Sequence, residues 1–528
     1  MKNRKNQFRS IILCLILTLG LVLLFTGAGG QQSSSSSPAG KPELHFIVSM
    51  EPYHKDYNEV LAYQEYAKIS PAVIRWEGVP SVNFPEKRNL LLASGDLPDA
   101  FFRGGFSNND LLKYGSEGVF VALSKIIPKS APNFNNVMNQ MPEVRKGVTQ
   151  SNGEIYGFPF ICTLKSADYS GKMFYRQDWL QKLNAKFPVT VDDLYNLCIK
   201  VRDTDLNGNG KKDEIPISIV DGPNLLVQVF HGYFGLMNRG AMHTNIDMDP
   251  KTNTLRFIPT APAYRQMLET LSKFYNEGLL DQEFFTGTSA KFAAKQVEDK
   301  IFAFPFPNPS IMAADKEMLF RVGDVLKGPN GDQIATPVSS GLRTGGAYVI
   351  TNKCKTPDVA AAWADYFFSE AGKPFFYLGV EGKSYYYDEK LKDYNYYDHL
   401  LRDPTGLPMN QATAPYLNGW GGGHPGFQPQ EKFPHTAAKL PEAMRATNAA
   451  LQYFPKEIWA SFTYTVKENE DMLYITNDIN KYISEMRAQF ISKGITDAQW
   501  NEYVAKFNNM DLKKYMDIYN AAYQRYIK

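Results

Sequence analysis

The most constraining feature of the sequence is an alternation of strand and helix patterns that begins near residue 44. Short apolar runs predict strands at 44–49, 72–77 and 100–102. Helical periodicity predicts the intervening helices at 57–68 and 83–92. Three strands and two helices in this order are typical of βαβ units with a parallel sheet. In such a sheet, ligands bind beyond the carboxyl ends of the strands. This rule places five residues near a possible site: Glu51, Tyr53, His54, Trp76 and Asp96.

A second α/β unit is predicted further along the chain, because 528 residues are too many for one compact core. Pro159 lacks a backbone N–H and favours an extended segment at 157–160. A helix beginning at residue 191 is predicted from Thr190 as its N-cap and Asp193 as the partner in a capping box. Further elements are predicted at 172–176, 177–183, 215–218, 263–277, 359–368 and 479–493.

The N-terminus has the pattern of an export signal. Residues 2–9 carry four positive charges, and an apolar run of 15 residues follows at 11–25. This run is too short to span a bilayer, and Thr26 and Ala28 provide the small residues of a cleavage site. We therefore predict a signal peptide at 1–28 and a Ser-rich tether at 29–42.

Charge and cysteine content exclude several classes of function. Removal of Lys2, Arg4, Lys5 and Arg9 from the 57 basic residues leaves 53, against 55 acidic residues. No block of basic residues is present that would follow a nucleic-acid backbone. Of the four cysteines, Cys14 lies in the signal segment, and the other three lack a zinc or disulfide spacing, so we expect buried thiols. The phosphate-binding, nucleophile-elbow and HExxH motifs are also absent.

Residues 203–214, DTDLNGNGKKDE, form the most specific motif. Oxygen-bearing side chains at alternate positions, with two glycines, can surround a calcium ion, which takes six to eight oxygen ligands. In an EF-hand register the loop would begin at Asp203, and Lys211 would occupy the ninth position, where an ammonium repels the ion. In a shifted register every side-chain ligand is an oxygen, and Lys211 contributes only its carbonyl. The shifted register is preferred, and its ligands are Asp205, Asn207, Asn209, Lys211, Asp213 and Glu214.

Four stretches together resemble one known family. They are the export signal with its tether, 83–99 (NFPEKRNLLLASGDLPD), 174–180 (FYRQDWL) and the calcium loop leading into 214–216 (EIP). In order and spacing they resemble the extracellular solute-binding proteins of ABC importers, in the family 1 branch that binds large oligosaccharides. Alginate-binding proteins and Paenibacillus-type lipoproteins belong to this branch. The sequence departs from it at Ala28, where relatives usually carry an acylated cysteine.

The resemblance implies an α/β, periplasmic-binding-protein-like fold with two interleaved lobes, a hinge and a ligand cleft between the lobes. The implied N-lobe covers roughly 43–158 and a segment near 290–355, and the implied C-lobe covers roughly 159–289 and 356–528 of the 43–528 binding domain. It also implies a structural Ca²⁺ site and a monomer that delivers an oligosaccharide or sugar acid to permease subunits of an ABC importer. The expected location is the cell surface, the extracellular space or the periplasm, without a lipid anchor at residue 28.

Aromatic platforms and planar polar side chains are the expected sugar contacts. The candidate ligand residues are Trp76, Asp96, Tyr175, Arg176, Trp179, Trp420 and His424. Trp420 is the strongest of these, since it lies in a glycine-rich loop, whereas core packing is the competing interpretation for each aromatic ring. Trp363, Trp459 and Trp500 follow helical patterns and are expected in the core.

Two alternative functions remain open from the sequence. A secreted carbohydrate-active hydrolase would use a pair of carboxylates and a similar aromatic cleft. A binding protein could also serve a membrane sensor instead of a permease. No motif carries an acid and base pair, so we expect binding without catalysis.

Overall fold

The strand and helix patterns of the chain produce two larger β-sheets, and among the described residues also two small two-stranded sheets. The computed structural model describes residues 40–308, 316, 318–390, 392–401, 403–407, 409–418, 423–429 and 441–528. The predicted signal peptide and most of the tether therefore lie outside the described residues. Its strands are β1 (Glu43–Met50), β2 (Val73–Pro80), β3 (Ala100–Phe106), β4 (Phe158–Cys162), β5 (Lys172–Arg176), β6 (Ile215–Ile217), β7 (Ile246–Met248), β8 (Leu255–Phe257), β9 (Ile301–Phe306), β10 (Phe320–Val322), β11 (Leu342–Ile350), β12 (Tyr385–Asp388), β13 (Asp393–Tyr396) and β14 (Gly426–Gln428).

The helices alternate with these strands along the chain. Those of the first part are α1 (Leu61–Ile69), α2 (Phe84–Ser94), α3 (Asn108–Ser116), α4 (Ile127–Ser130), α5 (Pro132–Gln140), α6 (Pro142–Val148), α7 (Lys165–Asp168), α8 (Gln177–Lys182), α9 (Val191–Arg202) and α10 (Asn224–Tyr233). Those that follow are α11 (Pro262–Asn276), α12 (Ser289–Val297), α13 (Pro357–Asp365), α14 (Gly372–Leu378), α15 (Asp398–Leu401), α16 (Met409–Ala412), α17 (Pro441–Ala450), α18 (Val466–Lys493), α19 (Asp497–Lys506) and α20 (Leu512–Ile527).

The first sheet has six strands in the order β14-β4-β11-β3-β1-β2. Strand β1 pairs in parallel with both β2 and β3, which confirms the βαβ prediction. The core of this sheet contains the fully buried rings of Phe46, Phe102, Tyr348 and Trp363, with 5.0 Å between the centroids of Phe46 and Trp363. The predicted core position of Trp363 is therefore confirmed.

The second sheet has four strands in the order β10-β5-β9-β6, in which only β6 and β9 are parallel. Helices from both the middle and the end of the chain contribute to its core, including the buried Trp500 of α19. The buried Trp459 also belongs to this core, as predicted, but it lies in a loop and not in the helix that the sequence pattern predicted. The capping box at the start of α9 is present, since Thr190 Oγ1 accepts from the Asp193 N–H at 3.0 Å, and the Asp193 carboxylate accepts from the Thr190 N–H. This local signal placed the start of α9 correctly, whereas the helix predicted at 479–493 begins earlier, at Val466.

The chain passes between the two sheets through segments that lie side by side. The Ser170 N–H donates to the Pro337 carbonyl at 3.3 Å, and the Ser339 N–H donates to the Asp168 carbonyl at 2.9 Å. The Asp168 carboxylate, almost fully buried, pairs with Arg343 at 2.6 Å. Segments of this kind, which connect two sheets and contact each other, are suited to act as a hinge.

The boundaries of the two lobes stay a prediction. Two segments, however, belong to the sheet of the other lobe than the one to which they were assigned. Strand β9, which was assigned to the N-lobe, lies in the four-stranded sheet, because it pairs with β5 and β6. Helix α13, which was assigned to the C-lobe, packs against β11 of the six-stranded sheet. The chain thus crosses between the sheets at other points than the sequence suggested.

Two further findings concern the described residues. Cys162, Cys198 and Cys354 are buried free thiols, as predicted. Of the helices that the structure describes, none is both long enough and apolar enough to cross a membrane.

Candidate functional site

A polar cluster lies at the carboxyl end of β1, where the βαβ unit predicts a ligand site. The chain turns sharply after β1, since the His54 N–H donates to the Glu51 carbonyl at 2.9 Å. The Ser81 hydroxyl, just beyond β2, donates to Glu51 Oε2 at 3.0 Å. Arg103 Nη2 lies 3.9 Å from Glu51 Oε1. An anion and a cation are therefore held together at the edge of the parallel strands.

Arg103 is placed by an irregularity in β3. Its backbone φ is 55°, in the left-handed region that non-glycine residues rarely adopt, and Gly105 follows at φ 60°. The guanidinium of Arg88 donates to the Gly104 carbonyl at 3.0 Å and stabilises this bend. Strained backbone of this kind is frequent at binding sites, where it directs a side chain toward a ligand.

Tyr53, Asn410 and Gly423 complete the cluster. The pKa of Tyr53 is raised by burial, which outweighs the lowering effects of Arg103 and of a hydrogen bond with Asn410. A Cβ atom on Gly423 would lie only 3.2 Å from the Arg103 guanidinium, so the backbone at Gly423 packs directly against this cation. We refer to Glu51, Tyr53, Arg103 and Asn410 as the Arg103 cluster.

Two neutral histidines stand beside the Arg103 cluster. Burial lowers the pKa of His54 to about 3, and the Arg103 charge adds to this effect. Burial also lowers the pKa of His424 to about 3, with a further contribution from Arg103. The Glu51 N–H donates to His54 Nδ1 at 3.2 Å, which fits the neutral ring. Near neutral pH, Arg103 is therefore the cation of this cluster and Glu51 its anion.

A second candidate surface lies at the carboxyl ends of the parallel strands β6 and β9. The loop after β6 turns at Gly222, whose φ is 65°, and presents Asp221 beside apolar side chains. Sugars combine apolar C–H faces with hydroxyls, and a mixed lining of this kind suits them. The pocket is lined by Ile219, Val220, Asp221, Gly222, Leu225, Leu226, Pro305 and Phe306.

Two candidates from the six-stranded sheet do not belong to the Arg103 cluster. Asp96 is exposed in the turn before β3, at the amino end of that strand and not at its carboxyl end. The prediction placed Asp96 at the wrong edge, because it counted a loop that precedes the strand. Trp76 is half-buried in the middle of β2 and packs against Tyr57 at a centroid distance of 4.7 Å.

Three candidates from the four-stranded sheet have structural positions. Tyr175 and Trp179 have no exposed surface and belong to the core, so neither ring presents a face to a ligand. Arg176 is 4% exposed, and its guanidinium pairs with Asp178 at 2.7 Å and with Asp299 at 2.8 Å. The prediction of ligand contacts needs correction here, because the antiparallel β5 ends beside the amino end of β9.

The last two candidates belong to the glycine-rich segment. His424 is fully buried, and its ring lies 4.7 Å from that of Tyr377, so it supports the site from behind. Trp420 lies outside the described residues, and its role stays a prediction. Arg103, Asn410 and Gly423 were not predicted from the sequence, in which the Arg-Gly-Gly run at 103–105 was the available signal of a bulge.

The predicted calcium loop folds around its own oxygen atoms. Asp205 accepts from the N–H groups of Gly208 at 2.8 Å and Gly210 at 2.9 Å. Asn209 Oδ1 accepts from the Lys211 N–H at 2.8 Å. Burial works against ionisation of Asp213, but hydrogen bonds with Asn209 and Lys300 lower the pKa of this carboxyl below its ordinary value.

Glu214 closes this loop from the inside. It is 6% exposed, and its Oε1 accepts from the N–H groups of Leu206 at 2.5 Å and Asn207 at 3.0 Å. Among the described residues its Oε2 is buried without a hydrogen-bond partner. A buried carboxylate oxygen without a partner is costly, and a hard cation is one group that would satisfy it.

The residue types of the loop suit calcium, although its acidic side chains do not converge on one point. In the described part of the chain, no three His, Cys, Asp or Glu side chains form a group that could hold a metal ion. The predicted ligands include two asparagines and a backbone carbonyl, which such a group does not count. The residue types and the orphaned oxygen of Glu214 therefore fit calcium, whereas the carboxylates are held by backbone N–H groups.

The chain is similar to known proteins along most of its length. No protein-family model matches the chain. It is 26% identical to the fructooligosaccharide ABC transporter substrate-binding protein FusA of Streptococcus pneumoniae, over 535 residues that cover 97% of each protein. It is 25% identical to the polygalacturonan/rhamnogalacturonan-binding protein YtcQ of Bacillus subtilis, over 62% of this chain and 64% of YtcQ. The homologues of this chain are substrate-binding proteins of ABC transporters.

Solved structures establish the fold of this substrate-binding protein homologue. The structure of FusA in complex with kestose aligns with 92% of this chain and with 99% of the FusA chain, at a TM-score of 0.76 and 24% identity. An HMO-binding, ABC-transporter-associated solute-binding protein from Bifidobacterium longum infantis covers 93% of this chain and 100% of its own, with a TM-score of 0.78 and 21% identity. The predicted two-lobed solute-binding fold is thereby confirmed. The similarity to FusA over nearly the whole chain confirms the resemblance to solute-binding proteins of ABC importers.

Proposed function

We propose that this protein captures a carbohydrate outside the cytoplasm and delivers it to an ABC importer without chemical change. The observation that carries this proposal is the Arg103 cluster, a charged and aromatic surface at the carboxyl end of the first parallel strands. Arginine and carboxylate side chains hydrogen-bond neighbouring sugar hydroxyls, and a tyrosine ring packs against a sugar face. The similarity to FusA along nearly the whole chain supports the same function.

The connections between the two sheets suit ligand-dependent closure. The Arg103 cluster lies on the six-stranded sheet, and the Asp221 pocket lies at an edge of the four-stranded sheet. We propose that a bound sugar contacts both surfaces and thereby favours a closed arrangement, as differential affinity requires. The hinge would consist of the crossing segments around Asp168 and Arg343.

Calcium is proposed as a structural ion of the loop at 203–214. Asp205, Asn207, Asn209, the Lys211 carbonyl, Asp213 and Glu214 would hold it, and it would supply the charge that satisfies Glu214 Oε2. FusA has been studied as an EF-hand mutant, which supports a related loop in that protein. The loop lies beside α9 and β6, so we expect an effect on stability and not on the chemistry of binding.

Location and partners follow the same proposal. The protein would be exported by the segment 1–28 and act at the cell surface, in the extracellular space or in the periplasm. Its partners would be the permease subunits, and it would work as a monomer. A hydrolase and a sensor partner are the alternatives, and the first experiment separates the hydrolase, because a hydrolase turns its ligand over.

Neutral oligosaccharides are expected to raise the melting temperature of the purified protein, because a ligand that binds only the folded state stabilises it by mass action. At one hundred times Kd the stabilisation is about 2.7 kcal/mol. The measurement is a thermal-shift screen that includes kestose, combined with an assay for new reducing ends after long incubation. Steady release of reducing ends would support a hydrolase and contradict the proposal.

The variant Arg103→Ala is expected to weaken oligosaccharide binding by roughly tenfold to a hundredfold. It removes charge-assisted hydrogen bonds, which contribute about 1.5–3 kcal/mol each. Isothermal titration against the best neutral sugar measures the effect. Arg75→Ala is the matched control, since Arg75 is exposed on β2, and its removal should leave Kd unchanged. Equal affinities for all three proteins would show that the Arg103 cluster is not the ligand site.

A further inference from the structure

The charge balance of the candidate surfaces is informative about the class of sugar. The segments concerned are 51–57, 81–83, 103–107, 218–223, 305–308, 409–418 and 423–429. These described segments contain two cationic residues, Lys55 and Arg103, and three acidic residues, Glu51, Asp56 and Asp221. The two neighbouring histidines are neutral, as described above. The described segments thus carry a net charge of about −1, or about zero when Arg88, which donates to the Gly104 carbonyl, is included.

Arg103 is the cation best placed to contact a ligand, but its charge is balanced. Its guanidinium is 12% exposed and lies 3.9 Å from Glu51 Oε1. The Ser81 hydroxyl holds the other oxygen of the same carboxylate at 3.0 Å, so Glu51 is fixed in place. Lys55 is exposed and follows the turn, where Asp56 is its neighbour in the chain. A ligand that approaches Arg103 therefore meets the negative charge of Glu51 as well.

Recognition of a carboxylate normally requires an arginine whose N–H groups are available for a bidentate contact without a competing anion. A sugar hydroxyl differs, because it donates to a carboxylate and accepts from a guanidinium at the same time. A fixed carboxylate next to the guanidinium suits hydroxyl pairs and repels anionic ligands. Partial burial strengthens both effects, since it lowers the local dielectric constant.

We infer that Glu51 is a specificity-determining residue that makes the site select neutral oligosaccharides and reject uronic-acid oligosaccharides. This inference rests on the proposed function and names the substrate class of the same site. It narrows the prediction from the sequence, which left oligosaccharides and sugar acids open. It also places the selectivity in one carboxylate that can be neutralised without loss of its hydrogen bond from Ser81.

The test compares neutral and uronic oligosaccharides of similar length on the full mature protein. Kestose and maltotriose represent the neutral class, and trigalacturonate represents the uronic class. Isothermal titration at low ionic strength should give a Kd for trigalacturonate at least about a hundredfold weaker than for the best neutral sugar. Glu51→Gln should reduce the ratio of these two Kd values about tenfold, since glutamine keeps the acceptor for Ser81 but removes the charge.

Glu117→Gln is the matched control, because Glu117 is exposed beyond the far end of α3 and its change removes the same charge. It should leave both affinities unchanged. If trigalacturonate binds as tightly as the neutral sugars, the inference is wrong while carbohydrate capture stands. If the two Kd values differ as expected but Glu51→Gln leaves their ratio unchanged, the role of Glu51 is wrong. If no sugar of either class binds, the proposed function fails, and the inference fails with it.

Discussion

Glu214→Ala is expected to lower the melting temperature by about 5 °C and to abolish any stabilisation by calcium. The substitution leaves the buried N–H groups of Leu206 and Asn207 without their acceptor. Each unsatisfied buried group costs about 1–3 kcal/mol, and in a large domain 1 kcal/mol shifts the melting temperature by about 2–4 °C. Scanning calorimetry of the wild type and the variant, with excess calcium and with a chelator, measures both effects.

Asp203→Ala is the control that separates the two registers of the calcium loop. Asp203 is exposed and pairs with Arg202 at 2.8 Å, and such a surface pair contributes little to stability because solvent screens it. In the preferred register Asp203 is not a ligand, so this variant should keep the calcium response of the wild type. A lost response in Asp203→Ala would favour the EF-hand register. A response preserved in Glu214→Ala would show that calcium does not bind this loop.

The sequence predicted the elements that depend on local signals. The parallel pairing of β1, β2 and β3 follows from apolar runs separated by amphipathic helices, and the structure has the same order. The cap of α9 was visible because Thr190 and Asp193 stand three residues apart. Such features depend on neighbours in the chain, and for this reason they can be inferred without the tertiary fold.

The ligand candidates were less predictable, because exposure depends on contacts between distant segments. An aromatic residue followed by polar residues has the same pattern in a binding surface and in a core. Tyr175 and Trp179 belong to the core only because β9 and β10 pair with β5 and helices cover that sheet. Arg176 was predicted to contact a ligand, but its guanidinium pairs with Asp299. This partner could not be predicted from the sequence, because it lies 123 positions away in the chain.

Several residues of the Arg103 cluster were also not predictable from the sequence. Arg103, Asn410 and Gly423 come together through contacts across about 300 residues, which no local pattern reveals. What the sequence did supply was the edge of the sheet at which to search, since the carboxyl ends of parallel strands carry the site. Glu51, Tyr53 and His54 were found by that rule, and Asp96 was misplaced because its loop precedes the strand.

The protein is expected to lose much of its stability between pH 6.5 and pH 5, because several histidines are buried in their neutral form. Burial lowers the pKa of His231 and His424 to about 3, and that of His243 to about 4. Above pH 6.5 the rings are neutral in both states, so they add no pH dependence. Below it the unfolded chain binds protons that the folded protein excludes, which favours unfolding until the folded pKa is reached. At pH 5 each buried neutral ring lowers the free energy of unfolding by about 2 kcal/mol.

His231→Phe isolates one of these contributions. Neither ring nitrogen of His231 has a hydrogen-bond partner among the described residues, and its ring lies 5.8 Å from that of Tyr264, so an apolar ring suits the position. The difference in free energy of unfolding between the variant and the wild type should be about 2 kcal/mol more favourable to the variant at pH 5 than at pH 7. Urea unfolding at both pH values measures this, and His399→Phe is the control, since His399 is exposed. A stability difference that is the same at both pH values would show that protonation of His231 does not drive the acid lability.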